Sequence, residues 1–362
     1  MDINLNHLIE HVHYLGSYST TYARHRIIQS GLRSLGISIT EALDQSCLPL
    51  RWVRLAKAVR EAPQDTPIIV GEASNYLSPV LFEAVRRNHP VVFDVFVSLL
   101  DTLEDRQSGW RRRSLAPILE WIDRINNRAA GAVILDTHQT QRYFVERLGL
   151  HPEKAYVAYV GAETALFRPR PRDKSLSSIF HVLFYGTFIP LQGVDVIVRA
   201  AAEVQRTRRD IRFQLVGSGQ VSKEARELAQ QLNVRNVDFG PVFVPYYQLP
   251  DLIAQADLCL GIFADRPKTK RVIPNKLYQC AAMGVPVVTG DTPAIREGFV
   301  DGEMALVPLG DYGALASEIV SLADSQVQRE RIGIAGMRAV HQRYSPTIIA
   351  SQVLAACRAL YV

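Results

Sequence analysis

Short apolar runs alternate with longer amphipathic stretches along almost the whole chain of 362 residues. Runs such as VVFDVFV at 91–97 and VPVVTG at 285–290 have the length and composition of buried strands, whereas the stretches between them repeat with helical periodicity. Strands that alternate with helices form βαβ units, in which the strands lie parallel. The sequence therefore predicts an α/β fold, and its length suggests two or three domains at roughly 100–200 residues each.

The alternation is interrupted once, by the proline-containing and charged stretch ETALFRPRPRDKSLSS at 163–178, and then starts again. We expect an N-terminal Rossmann-like domain over 1–165, a linker over 166–178 and a C-terminal Rossmann-like domain over 179–345. The last helix, 346–362, is expected to pack back toward the N-terminal domain. The predicted architecture is two Rossmann-like domains that face each other across a cleft.

Composition excludes several classes of protein. Hydrophobic residues make up 48% and charged residues 21%, which rules out a mainly disordered chain. The net charge of +5 is spread over both halves, so nucleic acid is not an expected partner. The four cysteines have no metal-ligand or redox spacing, and neither a signal peptide nor a transmembrane run is present, which favours the cytoplasm.

Glycines follow several of the predicted strands. Gly16, Gly186, Gly217 and Gly240 each stand at the carboxyl end of one, the edge where open parallel sheets bind ligands. A glycine there lets the backbone approach a phosphate closely, although each one also fits a simple tight turn. The sequence has neither a G-x-G-x-x-G after the first strand nor a P-loop, which argues against a dehydrogenase or an NTPase.

Seven stretches, in this order, resemble the nucleotide-sugar-dependent glycosyltransferases of the GT-B fold, and among them the retaining enzymes of family 4. They are STTYARHRIIQSGL (19–32), which matches less specifically, AYVAYVGAETALFRP (155–169), FYGTFIPLQGVDVIVRAA (184–201), FQLVGSGQ (213–220), VDFGPV (237–242), LIAQADLCLGIF (252–263) and RVIPNKLYQCAAMGVPVVTGDTPAIREGF (271–299). The resemblance implies transfer of a sugar from a nucleotide diphosphate, UDP or GDP, to an acceptor hydroxyl with retention of configuration. It also implies polysaccharide, lipid-linked glycan or small glycoside biosynthesis, without a cofactor or a metal.

The resemblance also indicates donor-binding residues. Lys276 is the first candidate for the cation that binds the diphosphate, because it begins a helix whose positive end favours anions; the alternative is a solvated lysine. The full donor-binding set is Gly186, Thr187, Gly217, Gly240, Pro241, Lys270, Asn275, Leu277 and Gln279.

Four positions depart from the family pattern. Arg271 and Gln279 stand where the family usually has a pair of glutamates, and Thr187 and Gln192 replace its usual arginine and lysine. An amide at 279 accepts a hydroxyl more weakly than a carboxylate does. These departures leave open a second hypothesis, a non-catalytic GT-B binding or scaffold protein with a degraded donor site. A nucleotide-sugar epimerase would require acid and base carboxylates, and no convincing set is present.

In the N-terminal domain, the histidine that the family often has near the reacting sugar is absent: Phe96 stands at about that position, with Asp94 and Asp101 around it. A buried aspartate is costly unless it is paired, so either could orient the acceptor; alternatively, each caps a helix or pairs with Arg106. The candidate catalytic residues are Asp94, Asp101, Lys276 and Arg271. The candidate acceptor-side residues are Gly16, Tyr18, Ser19, Thr20 and His25, the last of which also fits a surface or core histidine.

The segment WRRRSLAPILEW at 110–121 combines a basic cluster with two tryptophans. Trp110–Arg113 could rest on an anionic lipid surface and bring the protein to the inner face of the membrane. The alternative is an ordinary solvated helix start with the tryptophan rings packed inward.

Overall fold

The computed structural model describes residues 9–17, 22–71, 74–95, 97–106, 109–171 and 179–361, with only the backbone of 74, 75, 106 and 109–113. The chain forms two compact units, Met1–Val160 with Ser345–Val362, and Gly161–Tyr344. The predicted α/β class is confirmed, because each unit contains a six-stranded parallel sheet in its described part.

The first sheet has the strand order β2-β1-β3-β4-β5-β6, and its hydrophobic core includes Val70, Phe93 and Val133. The strands IIV, VVFD and AVIL, at 68–70, 91–94 and 132–135, are nearly continuous apolar runs, as expected for a parallel sheet with helices on both faces. The strands are β1 (His11–Gly16), β2 (Ser38–Leu43), β3 (Ile68–Val70), β4 (Val91–Asp94), β5 (Ala132–Leu135) and β6 (Ala155–Val157). The helices are α1 (Ala23–Ser34), α2 (Leu48–Glu61), α3 (Ser78–Arg86), α4 (Leu99–Arg106), α5 (Gly109–Ala129) and α6 (His138–Leu148).

The second sheet has the order β12-β11-β10-β7-β8-β9, which brings β7 next to both β8 and β10. Val182, Leu215 and Val288 lie in its core. The strands are β7 (Phe180–Tyr185), β8 (Ile211–Val216), β9 (Val237–Phe239), β10 (Leu258–Leu260), β11 (Val287–Gly290) and β12 (Ala305–Val307). The helices are α7 (Val194–Thr207), α8 (Ser222–Gln231), α9 (Leu249–Ala254), α10 (Asn275–Ala282), α11 (Pro293–Gly298), α12 (Tyr312–Asp324) and α13 (Gln326–Arg343).

The chain returns to the first unit through its last helix, α14 (Pro346–Arg358), which packs against α1, β5 and β6. Gly31 of α1 lies directly against the Pro346 carbonyl, since a Cβ at position 31 would be 1.9 Å from that oxygen. Ile349, Ala350 and Val353 of α14 are fully buried. The last helix is therefore part of the core of the first unit.

Two features differ from the sequence-based expectations. Helix α4 was not predicted, because LLDTLEDR is too short to establish a period. Residues 166–171 of the expected linker belong to the second unit, where Phe167 is buried with its ring edge-to-face on Tyr246. Residues 172–178 lie outside the described part. No helix in the described residues is long and apolar enough to cross a membrane.

Candidate functional site

The carboxyl ends of β7 and β8 approach each other through two glycines. Gly186 follows β7 with φ 149°, and Gly217 follows β8 with φ 129°, conformations that side chains rarely adopt. A Cβ at Gly217 would lie 2.0 Å from the Gly186 carbonyl oxygen, so this turn needs a glycine. The Gly217 N–H donates to the Pro241 carbonyl at 2.9 Å and the Gly240 N–H to Leu215 at 2.9 Å. Four predicted donor-binding residues thus lie together at one edge.

Helix α10 begins beside this edge and carries Lys276 in its first turn. The Lys276 side chain is only 5% exposed. Its Nζ donates to the Gln192 Oε1 at 2.6 Å and lies 3.6 Å from the centre of the Phe184 ring. A Cβ at Gly186 would be 3.8 Å from this Nζ, so the amine lies directly beside the glycine turn. Lys276 is therefore a buried amine, which excludes the alternative of a solvated lysine.

Burial lowers the pKa of Lys276 well below its ordinary value, and the nearby thiols of Cys280 and Cys259 only partly oppose this effect. The positive end of the α10 helix dipole also disfavours the charged, ammonium form of Lys276. The site therefore holds a desolvated amine rather than an exposed cation.

A second buried hydrogen bond lies beneath the turn. The Tyr185 hydroxyl donates to the Gln279 Oε1 at 2.7 Å, and the Cys280 thiol lies 3.7 Å from the same hydroxyl. Burial raises the pKa of Tyr185 well above its ordinary value, and Cys280 adds to that shift. Burial likewise raises the pKa of Cys259. Gln279, only 3% exposed, thus has an internal partner for its amide oxygen.

The other predicted donor residues lie on the loop before α10 or at the sheet edge. Thr187 is exposed, and Asn275 is half-buried at the first position of α10. Lys270 pairs with Asp265 at 2.9 Å. Arg271 is half-buried, and its N–H donates to the Lys268 carbonyl at 3.0 Å. Leu277 is fully buried in the protein core.

In the first unit, Asp94 ends β4 and is fully buried against Arg24 of α1. The Arg24 guanidinium donates to both Asp94 oxygens, at 2.6 and 2.9 Å to Oδ1 and 3.0 Å to Oδ2, and also to the Ala158 carbonyl at 3.0 Å. Burial by itself lowers the pKa of Arg24, but the charge and hydrogen bonds of Asp94 raise it above the ordinary value. Asp94 thus pairs with Arg24, while the side chain of Arg106, the alternative partner, lies outside the described part of the chain.

The other predicted first-unit residues lie along α1, β1 and α4. His25 is buried, with Nδ1 2.8 Å from the Tyr14 hydroxyl, which excludes a surface histidine. Gly16 ends β1, and its carbonyl accepts the Asp44 N–H at 3.2 Å. Asp101 is 9% exposed in the first turn of α4. Tyr18, Ser19 and Thr20 lie outside the described residues.

Sequence reasoning missed several buried polar residues. Arg24 and Asp123 carry no sequence signal, because a charged residue in an amphipathic helix usually faces solvent. Asp123 accepts the Ser98 hydroxyl at 2.7 Å and the Leu100 N–H at 3.0 Å, and so caps α4. The sequence identified Gln192 as a departure from the family pattern. It could not predict the contact of Gln192 with Lys276, which is 84 positions away.

The GT-B fold is characterised by two Rossmann-like domains, and a glycine turn beside a helix start is typical of its second domain. Solved structures show that this chain has a similar fold. The Anabaena protein HepE, crystallised with UDP and glucose, has a TM-score of 0.72 at 18% identity, over 96% of this chain and 98% of that one. A sucrose-phosphate synthase from Thermosynechococcus elongatus has a TM-score of 0.77 at 16% identity, over 97% of this chain and 99% of that one. The fold is GT-B.

Sequence comparison finds a family match within the second unit. Residues 179–325 match the family described as Glycosyl transferases group 1. The phosphatidyl-myo-inositol mannosyltransferase of Mycobacterium leprae is 32% identical over 183 residues, 48% of this chain and 45% of that protein. The D-inositol 3-phosphate glycosyltransferase of Acidothermus cellulolyticus is 29% identical over 244 residues, 61% of this chain and 52% of that protein. The chain thus spans about half the length of these relatives, and its similarity to the group 1 glycosyltransferases lies in residues 179–325 of the second unit.

Proposed function

We propose that this protein transfers a sugar from a nucleotide diphosphate sugar to an acceptor hydroxyl with retention of configuration. The observation that carries the proposal is the Lys276 Nζ, which lies beside the Gly186 turn at the carboxyl edge of the second sheet. A glycine turn, a helix N-terminus and an amine are together suited to a diphosphate.

In this mechanism the protein mainly positions the donor and stabilises the leaving diphosphate. The backbone at Gly186 allows the phosphates to approach, while Lys276 and the first N–H groups of α10 face the charge that develops on the leaving oxygen. The leaving phosphate itself takes the proton of the acceptor hydroxyl, so no protein base is required. We expect UDP or GDP as the nucleotide, and we expect basic side chains to replace a metal.

The acceptor is proposed to be a glycan, a lipid-linked glycan or a small molecule. Two of the relatives are named for phosphatidyl-myo-inositol and D-inositol 3-phosphate. Inositol-containing hydroxyl compounds are therefore the first acceptors to test.

A peripheral contact with the inner face of an anionic membrane is also proposed, through the start of α5. The sequence there contains Trp110–Arg113, and further along the helix Leu115, Ile118 and Trp121 are 43%, 55% and 63% exposed. Trp121 therefore does not pack inward. Co-sedimentation with anionic and neutral vesicles tests this contact: we expect binding to anionic vesicles that weakens in Trp121→Ser, and equal binding to both vesicles would contradict it.

The transferase proposal is tested by incubating the protein with UDP- and GDP-sugars and the acceptors above, with and without a chelator. The expected result is release of the free nucleotide diphosphate and a product whose anomeric proton shows the donor's configuration by NMR, unaffected by chelation. Stabilisation by a nucleotide without transfer or hydrolysis of any donor would instead support the binding or scaffold protein, which Arg271 and Gln279 favour.

A further inference from the structure

Lys276 is a buried lysine without an anionic partner in the described part of the chain. The Lys276 amine donates to the neutral amide of Gln192, at 2.6 Å, and the Phe184 ring covers the amine on another side. A buried ammonium ion without a counter-charge is costly, and a lysine in this situation gives up its proton instead.

The groups that face Lys276 come from three elements and the turn before α7. Cys280 lies on α10, Cys259 on β10 and Phe184 on β7, and Gln192 ends the turn at Pro190–Gln192. Of these, only the two thiols titrate, and burial raises the pKa of Cys259, so this thiol stays neutral. Tyr185, beside Cys280, is neutral for the same reason.

We propose that Gln192 is a positioning residue that holds Lys276 as an uncharged amine in the free protein, and that Lys276 takes up one proton from solvent when a diphosphate binds beside Gly186. The inference rests on the proposed donor site. The Gln192 carbonyl accepts the Phe263 N–H at 3.2 Å, which fixes the turn to the loop after β10. The Gln192 amide oxygen is thereby kept in place for the Lys276 amine.

The uptake of a proton determines how the affinity for a diphosphate changes with pH. A bound diphosphate supplies the missing negative charge, so the ammonium form is favoured only in the complex. Binding that takes up a proton weakens as pH rises, by at most about tenfold per pH unit for one proton. Above about pH 8 the terminal phosphate of UDP or GDP is already fully ionised, since its last pKa is about 6, so Lys276 is left as the source of the pH dependence.

The first test measures Lys276 in the free, full-length protein. The chain has seven lysines, so a sample labelled with 13C-lysine gives a small set of NMR signals, and Lys276→Arg assigns the relevant one. We expect the Lys276 signal to titrate well below the range that is usual for an exposed lysine. Gln192→Glu places a carboxylate at the same position and should return the titration to the range of the exposed lysines, whereas Gln231→Glu, an exposed change on α8, should not. If Lys276 titrates with the exposed lysines in the wild type, the proposal fails.

The second test measures proton uptake by calorimetry. UDP, and in a parallel experiment GDP, is titrated into the protein at about pH 8 in two buffers of different ionisation enthalpy. Uptake of close to one proton is expected for the wild type and for Gln231→Glu, and close to none for Gln192→Glu. Binding without proton uptake overturns the inference and leaves the donor site intact. Absence of binding counts against the donor site itself, and the NMR titration then still decides the state of Lys276.

Discussion

Asp94 is a candidate catalytic residue, and it is also one partner of a buried ion pair with Arg24. Both side chains are fully buried, and the guanidinium bridges α1, β4 and the Ala158 carbonyl just after β6. Removing one partner of such a pair leaves an uncompensated charge in the interior. Asp94 therefore has to be tested for stability before its proposed part in catalysis can be measured.

We predict that Asp94→Asn lowers the free energy of unfolding by about 3–5 kcal/mol, because the buried ion pair between Arg24 and Asp94 is lost. Glu61→Gln breaks the exposed pair with Lys57 and should cost less than about 1 kcal/mol. Urea denaturation of both variants measures the difference. Equal costs for the two variants would show that the buried pair is not important for stability.

The turn after β8 gives a second prediction at this scale. Gly217→Ala forces a Cβ to within 2.0 Å of the Gly186 carbonyl, so the backbone beside Lys276 must move. We expect a loss of about 1–3 kcal/mol of stability together with weaker binding of nucleotide diphosphates. Gly149→Ala, which has φ 64° but no atom within 4 Å of its Cβ, is the matched control. It should strain the backbone without affecting binding, so weaker binding in both variants would contradict a local role for Gly217.

Among the helices, α4 depends on a residue of its neighbour α5. Asp123 accepts hydrogen bonds from Ser98, Leu99 and Leu100, and so satisfies the N–H groups at the start of α4. Burial raises the pKa of Asp123, and these hydrogen bonds offset only part of the shift. The cap on α4 is therefore sensitive to pH.

A carboxyl group whose pKa is raised on folding binds more protons in the folded state, so its contribution to stability is full below its ordinary pKa and is lost as pH rises through the folded value. We predict that wild-type protein gains stability relative to Asp123→Asn as pH is lowered from about 7 to 4, by about 1.4 kcal/mol for each unit of pKa shift. Chemical denaturation over this pH range measures it. A difference that is flat, or that falls with decreasing pH, would contradict the assignment.

The elements that could be predicted from the sequence are those with a long period or an apolar run. The run at 285–290 contains β11, and the amphipathic stretch at 193–208 contains α7. Helix α4 was missed because its cap comes from Asp123 on another helix, and such a partner is brought in only by tertiary structure. Phe167 was assigned to a linker because neighbouring prolines and charges hid a single buried aromatic residue.

On the scale of the whole molecule, the chain crosses back to its first unit at Ser345, and α14 completes that unit. The contact depends on a small residue, because Gly31 leaves room for the Pro346 carbonyl. Packing this close cannot be predicted from one sequence, because Gly31 there indicates only a low helix propensity. The same limit applies to Lys276, whose helix was predicted but whose burial under Phe184 was not.

We predict that Gly31→Ala destabilises the protein by about 1–3 kcal/mol, because the new Cβ overlaps the Pro346 carbonyl and pushes α14 away from α1. Gly313→Ala in α12 meets only a contact at 3.4 Å and should be neutral or stabilising, by up to about 1 kcal/mol. Thermal unfolding with hydrogen exchange on α14 checks both variants. Unchanged protection of α14 in Gly31→Ala would show that the helix does not depend on this contact.

The central claim is that the second unit binds a nucleotide diphosphate beside Gly186 and Lys276. The most direct measurement is a thermal-shift screen of the wild type and Lys276→Ala with UDP, GDP, ADP, TDP and CMP. A ligand at about 100 times its dissociation constant stabilises by roughly 2.7 kcal/mol, which corresponds to a shift of several degrees. The account predicts a shift with UDP or GDP in the wild type that Lys276→Ala loses. No shift with any nucleoside diphosphate, or an equal shift in the variant, would contradict it.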